Sequence, residues 1–312
     1  MKRGYDHPLY LLPFDHRHSY ESKMFRFTPP LTDEQRASVT ESKRLIYEGF
    51  LQALHGGVAA AHAGILVDEE FGTPILRDAA AHHYVTAMPV EKSGQAEFEF
   101  EYGSDFKRHL QEFSPTFAKV LVRYNPDADA VLNRRQRERL EQLSSYCAMA
   151  NQHFMFELLV PATPVQLAAV GGDTAAYDRQ LRPALMCRTI TELQDAGVEP
   201  DIWKIEGLDS ADDCRRIVEI VRRGGRDGVS CIVLGRGADE SRVRQWLETA
   251  AGVSGFIGFA VGRTTFWDAV QGYETGKLPR PAAASLVARR YSEWVGVFQK
   301  AKARADQQPA RG

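Results

Sequence analysis

The chain has 312 residues, 44% of them hydrophobic and 26% charged, which supplies a large core and excludes a disordered polymer. With 39 Lys plus Arg against 41 Asp plus Glu, no polybasic footprint marks a nucleic-acid or membrane surface, and a charged ligand must be met by local clusters. The four cysteines (Cys147, Cys187, Cys214, Cys231) lack CxxC or Cys/His spacing and read as small buried residues; the apolar run 9–14 is too brief for a signal sequence or a membrane span, and the whole reads as cytoplasmic.

Short apolar runs alternate with polar-apolar periodic segments along almost the whole chain. In order, strand 9–15 precedes helix 33–54, strand 64–69 helix 74–82, strand 83–91 helix 103–112, and strand 117–124 helix 127–150. The second half repeats the pattern: 153–160 then 174–196, 201–207 then 209–223, 229–236 then 238–250, and 255–263 then 281–303. Continuous apolar runs suit parallel strands covered on both faces. Thr32 before Asp33 and Glu34, Asp209 before an Ala-Asp-Asp turn, and Asp239 with Glu240 supply helix starts. Eight strand-helix units predict an α/β protein, a single-domain (β/α)8 TIM barrel over 1–303, with 304–312 as a disordered tail. The alternative, an open doubly wound sheet, lacks a GxGxxG after the first strand. The acidic, aromatic segment 92–103 reads as an extended loop serving as lid or interface.

Lys204 is the oddity, a lone cation flanked by Ile202, Trp203 and Ile205 in a strand that otherwise reads as buried. Such an ammonium must snorkel, pair with a carboxylate, or be kept for chemistry. A neutral buried amine can attack a carbonyl and form a Schiff base. The period of two places Ile202, Lys204 and Glu206 on one face of strand six, and Lys119, Leu121 and Arg123 on one face of strand four. Both strands are even-numbered, so Lys119 and Lys204 are expected near each other inside the barrel, where Lys119 would tune the nucleophile. Glu157, inside Phe154-Met155-Phe156, is a buried carboxylate that needs a partner.

Barrel chemistry sits at the carboxyl ends of strands and the loops just after them, which singles out Asp15 at the end of strand one with Arg17 beyond it, Asp68 at the end of strand two and Glu91 at the end of strand three. Asp15, Asp68 and Glu91 also have an ordinary reading as helix-capping or loop-ordering residues. Gly235, Arg236 and Gly237 after strand seven, with Gly262 and Arg263 after strand eight, form glycine turns suited to a phosphate, Arg17 being a further candidate. His16-x-His18 is a weak metal pair and carries no metal assignment.

These motifs are familiar. LLPFDHRHSYESKMF, LVDEEFG, VEKSGQ, KVLVRYNPD, FMFELLVP, DIWKIEG, CIVLGRGAD and GFAVGRTTFWD resemble, almost continuously, the aldolase-like DUF2090 domain that follows the kinase in some bifunctional 5-dehydro-2-deoxygluconokinases of inositol catabolism. At short strand-end motifs the chain also resembles the tagatose-bisphosphate and sulfofructose-phosphate class I aldolases. The resemblance implies a Schiff-base lysine at Lys204, a second active-site lysine at Lys119, an acid at Glu157, hydroxyl-binding Asp15 and Glu91, and a phosphate-binding Arg263. It implies a lyase without a cofactor, a phosphorylated sugar or sugar-acid substrate and a homo-oligomer, with no nucleic-acid or membrane partner. Glu157 is expected to shuttle protons with a pKa raised by burial.

Two departures touch the substrate rim: Asp15-His16-Arg17 stands where the aldolases have Asp-Gln-Arg, and Gly235-Arg236-Gly237 where they have Ser-x-Gly. Coupling to phosphorylation is expected to need a separate kinase. Two rival classes, a non-catalytic sugar-phosphate-binding barrel and a phosphosugar isomerase, need no covalent adduct at Lys204.

Overall fold

The structure is a computed structural model that describes residues 3–307. Its strands are β1 (Leu9–Pro13), β2 (Ala63–Leu66), β3 (Val85–Pro89), β4 (Phe117–Arg123), β5 (His153–Leu159), β6 (Ile202–Glu206), β7 (Ser230–Leu234) and β8 (Phe256–Ala260). They pair in parallel in chain order, and β8 returns to β1, so the sheet closes into a barrel. The first half carries α1 (His18–Tyr20), α2 (Asp33–His55), α3 (Glu69–Ala81), α4 (Phe106–Phe113) and α5 (Ala130–Ala150). After β5 come α6 (Pro164–Ala169), α7 (Thr174–Gln180), α8 (Arg182–Asp195), α9 (Ala211–Arg222), α10 (Glu240–Ala251), α11 (Arg263–Glu274) and α12 (Arg280–Asp306). The single-domain (β/α)8 barrel expected from the alternation is the fold observed.

Strand periodicity sorts the apolar residues into two bodies. Trp203, Ile205, Val120, Phe156 and Val233 face outward under the helices. Leu11, Leu66, Phe117, Met155, Ile202 and Ile232 face inward and fill the amino-terminal part of the barrel as an apolar plug. Ile202 belongs to the plug and Lys204, two residues further on the same face, stands above it. At the β1–β8 seam a Cβ on Gly258 would lie 1.7 Å from the Leu9 carbonyl oxygen, so closure there requires glycine.

The sequence reading and the structure differ at several ends. Runs read as strands to 15, 91 and 263 leave the ladder at Pro13, Pro89 and Ala260, so the polar residues beyond sit in loops rather than in the sheet. α3 begins at Glu69 instead of 74, because Asp68 caps it by accepting the Phe71 N–H at 3.0 Å and Pro74 is tolerated in its second turn. The helix read over 174–196 is two helices, broken where Pro183 enters the first turn of α8. α6 and α11 were not anticipated, and α12 continues to Asp306, into the stretch read as tail; residues 308–312 lie outside the described residues.

Candidate active site

A cavity of about 530 Å³ opens at the carboxyl end of the barrel, and Asp15, Glu91, Lys119, Glu157, Lys204 and Arg263 are among the residues that line it. At its floor two buried lysines share one oxygen. Glu157 Oε2 lies 2.8 Å from Lys204 Nζ and 2.9 Å from Lys119 Nζ. Strand register explains the meeting, since Glu157 on β5 is opposite Lys204 on β6 and opposite Leu121, two residues beyond Lys119, on β4.

The two lysines are not equivalent. Lys119 Nζ also donates to Asp15 Oδ2 at 2.9 Å and to Glu91 Oε1 at 2.7 Å, so three carboxylates surround it. Burial pulls its pKa down, but Asp15, Glu157 and Glu91 outweigh that and hold it well above the ordinary lysine value. Lys119 is therefore a fixed ammonium. Lys204 has Glu157 as its ion partner and shares it.

The acids divide in the same way. Burial pushes Glu157 up, yet Lys119 and then Lys204 hold its carboxyl below the usual range. This corrects the expectation of a raised pKa: the two ammonium groups at one oxygen win, and Glu157 rests as a carboxylate. Asp15 is likewise driven well below its ordinary value, burial being overcome by Lys119, His16 and Lys204. Glu91 goes the other way, raised by burial against Lys119 and Arg17.

Arg263 opens α11, whose N-terminus at Gly262 has no side-chain cap. Its Nη2 donates to the Arg236 carbonyl at 2.5 Å, and a Cβ on Gly237 would lie 2.6 Å from the guanidinium. The turns after β7 and β8 thus meet, with Gly237 at φ +71° making room. Among the described residues no carboxylate pairs with Arg263, and burial lowers its pKa against the pull of Glu157. Gly235 packs against Val261 beside this turn.

Three predicted rim residues are committed elsewhere. The Arg236 side chain turns away to Glu206 Oε1 at 3.0 Å and Asp178 Oδ2 at 2.8 Å. Glu206 also accepts from the Val160 N–H at 3.1 Å, so it ties β6 to the chain beyond β5 and anchors Arg236. Arg17 donates to Glu101 Oε2 at 2.9 Å and to the Glu91 carbonyl at 2.7 Å; it holds the lid to the rim and is not joined to the Arg263 turn. The lid itself, read as an extended loop, folds back through an antiparallel bridge of Glu91 with Phe100 and is pinned to α5 by Arg135 and Arg139 on Glu97.

Sequence reasoning passed over His16 as half of a weak metal pair. Its ring packs on Phe266, lines the cavity, and has a buried Nδ1 without a partner. Burial, aided by Arg263 and Lys204 against Asp15 and Glu157, pushes its pKa down to about 4, a neutral imidazole. The only signal in the sequence was its place between Asp15 and Arg17. Lys43 was also missed: fully buried on α2, it pairs with Asp68 and donates to the His16 carbonyl at 3.0 Å, fixing the loop from below.

Fold and site together define a (β/α)8 barrel built around a buried lysine pair. The profile of a bacterial family described as "uncharacterized protein conserved in bacteria" (DUF2090) matches residues 1–302, and the chain belongs to that family. A tagatose 1,6-diphosphate aldolase of Listeria monocytogenes serotype 4b (strain CLIP80459) is 26% identical over 180 residues, 55% of this chain and 50% of that protein. The chain thus spans about half the length of the curated relatives it matches. A fructose-bisphosphate aldolase from Plasmodium falciparum superposes with TM-score 0.62 at 12% identity, over 96% of this chain and 98% of that one. An archaeal fructose-1,6-bisphosphate aldolase, its catalytic Lys covalently bound to a carbinolamine, gives 0.56 at 10% identity over 93% and 94%. At these identities the likeness to the solved structures is one of fold. No helix among the described residues is long and apolar enough to cross a membrane.

Proposed function

We propose that the protein is a class I aldolase that cleaves a phosphorylated keto-sugar or keto-sugar acid through a Schiff base on Lys204. The observation that carries this is the asymmetry at Glu157 Oε2: one lysine is locked as an ammonium by three carboxylates, and its neighbour has, among the described residues, a single, shared carboxylate partner positioned to take its proton. The named aldolase relatives and the barrel neighbours support the reading.

In this mechanism Lys204 passes a proton to Glu157 and its amine attacks the substrate ketone. Glu157 returns the proton to the carbinolamine hydroxyl, which leaves as water and creates an iminium. A carboxylate, Glu157 again being within reach of Lys204, takes the proton from the β-hydroxyl. The carbon-carbon bond breaks, its electron pair enters the iminium to give an enamine, and the aldehyde is released. Reprotonation of the enamine carbon and addition of water free the ketone and Lys204. Lys119, a fixed positive charge whose three N–H groups face Asp15, Glu91 and Glu157, orients those carboxylates, and Asp15 and Glu91 hold substrate hydroxyls. Arg263, with the Gly237 and Gly262 turns and the uncapped start of α11, receives the phosphate. From the family resemblance the substrate is 2-deoxy-5-keto-D-gluconate 6-phosphate, which yields dihydroxyacetone phosphate and malonate semialdehyde.

Dihydroxyacetone phosphate and borohydride test this. A stable adduct should map to Lys204 by mass spectrometry, and Lys204→Met should form none and lose at least about 10³-fold in turnover. An isomerase or a purely binding barrel leaves wild type without an adduct, and that result ends the proposal.

A further inference from the structure

The cavity mouth holds a cationic position that the proposed reaction does not use. Arg123 ends β4 on the face it shares with Lys119 and Leu121, lines the cavity, and is exposed. Among the described residues no carboxylate pairs with it. Its side-chain bond is Nη1 donating to the Gln95 carbonyl of the lid at 2.9 Å, which leaves most of the guanidinium's donors unpaired. The strand end beneath it is fixed, because Gln136 Nε2 on α5 donates to the Arg123 carbonyl at 3.2 Å. Of the other rim arginines, Arg17 is neutralised by Glu101 and Arg236 by Glu206 and Asp178, while Arg263 is the one assigned to the phosphate. The acid on the same lid, Glu97, is held by Arg135 at 2.7 Å and Arg139 at 2.8 Å.

Position gives this arginine a task. In a closed eight-stranded barrel β4 lies across the mouth from β8, and Arg263 begins the helix that follows β8. Lys204 on β6 stands between them. A ligand with its phosphate at Arg263 and its ketone carbon at Lys204 extends onward to β4. We propose that Arg123, backed by the Gln95 carbonyl, is the subsite for a terminal carboxylate at the end of the substrate remote from the phosphate. It would make the enzyme selective for keto acids over neutral ketoses and bisphosphates. A guanidinium with adjacent free N–H groups matches a carboxylate in two parallel bonds. One such group balances one negative charge, whereas a second phosphate brings about −1.5 to −2. Among the described residues the further lysines lining the rim are Lys92 on the lid, which faces Glu99 at 4.0 Å, and Lys23 after strand one. This subsite rests on the Schiff-base reading above.

The synthetic direction tests it, with dihydroxyacetone phosphate and three aldehydes: malonate semialdehyde, glyceraldehyde 3-phosphate and glyceraldehyde. Wild type should prefer the aldehyde acid. Arg123→Gln should lower kcat/KM for that acid by about 10- to 100-fold relative to glyceraldehyde, chiefly through KM, and Arg123→Lys should recover part of the loss. An acid-to-neutral ratio unchanged in Arg123→Gln overturns the subsite. A wild-type preference for glyceraldehyde 3-phosphate that disappears in the same variant overturns its carboxylate assignment. Borohydride trapping on wild-type Lys204 runs alongside. Without an adduct the Schiff-base reading falls and the subsite with it, whereas an adduct with an unchanged ratio removes the subsite alone.

Discussion

His16→Gln isolates one titration in the site. The imidazole is pushed from 6.5 down to about 4 by burial first, then by Arg263 and Lys204, with Asp15 and Glu157 opposing. Because the folded pKa lies below the unfolded one, the unfolded chain binds the proton first as pH falls. The stabilisation from keeping His16 neutral is therefore complete above about pH 6.5 and is lost progressively as pH falls towards about 4. Integrating the linkage relation between those two values gives a loss of about 2 kcal/mol between pH 7 and pH 5. Glutamine does not titrate, and the other ionisable groups are common to both proteins. Urea unfolding at pH 7 and pH 5 should show wild type losing about 2 kcal/mol more than the variant over that interval. Losses that agree within about 0.5 kcal/mol would refute the buried neutral imidazole.

Lys119→Met leaves Asp15, Glu91 and Glu157 facing one another without their shared cation, and should destabilise the fold by about 3–5 kcal/mol at pH 7. The gap should narrow on acidification: in wild type the depressed Asp15 pKa contributes stability above the unfolded value that is lost as pH falls, and the variant lacks that term. Thermal melts at pH 7 and at pH 3, the latter below the unfolded aspartate value of 3.8 where that contribution is being lost, check it, and an equal gap at both would count against the charge argument. Gly258→Ala forces a Cβ to within 1.7 Å of the Leu9 carbonyl, so the β1–β8 seam must part. Its urea midpoint should fall by the equivalent of at least about 3 kcal/mol; a near-neutral result would show that the seam can yield.

Much of the barrel was legible because parallel strands buried on both faces read as unbroken apolar runs, and the helices between them bring their own caps. The period of two also put Lys204 and Ile202 on the inner face, leaving Trp203 and Ile205 to pack beneath the helices. Less visible was everything decided by long-range pairing. No local pattern tells that Glu157 lies under two ammonium groups, so its pKa direction was misjudged. Arg236 reads as a phosphate ligand until Asp178, contributed by a helix 58 residues earlier, is seen to claim it. α11 was hidden because its first residue, Arg263, follows apolar residues without a break and Gly262 is its cap. His16 read only as half of a weak histidine pair, whereas its packing against Phe266 comes from a helix far along the chain.

The apolar plug has a kinetic consequence. Leu11, Leu66, Phe117, Met155, Ile202 and Ile232 close the barrel beneath the lysines, so traffic through the cavity uses one doorway. By the proposed chemistry the ketone fragment stays covalently tethered to Lys204 after the aldehyde is set free. Departure is then a queue: the aldehyde leaves first, the ketone phosphate last. Product inhibition should mirror that order, with the ketone phosphate competing directly with substrate for the emptied enzyme and the aldehyde intercepting the tethered form.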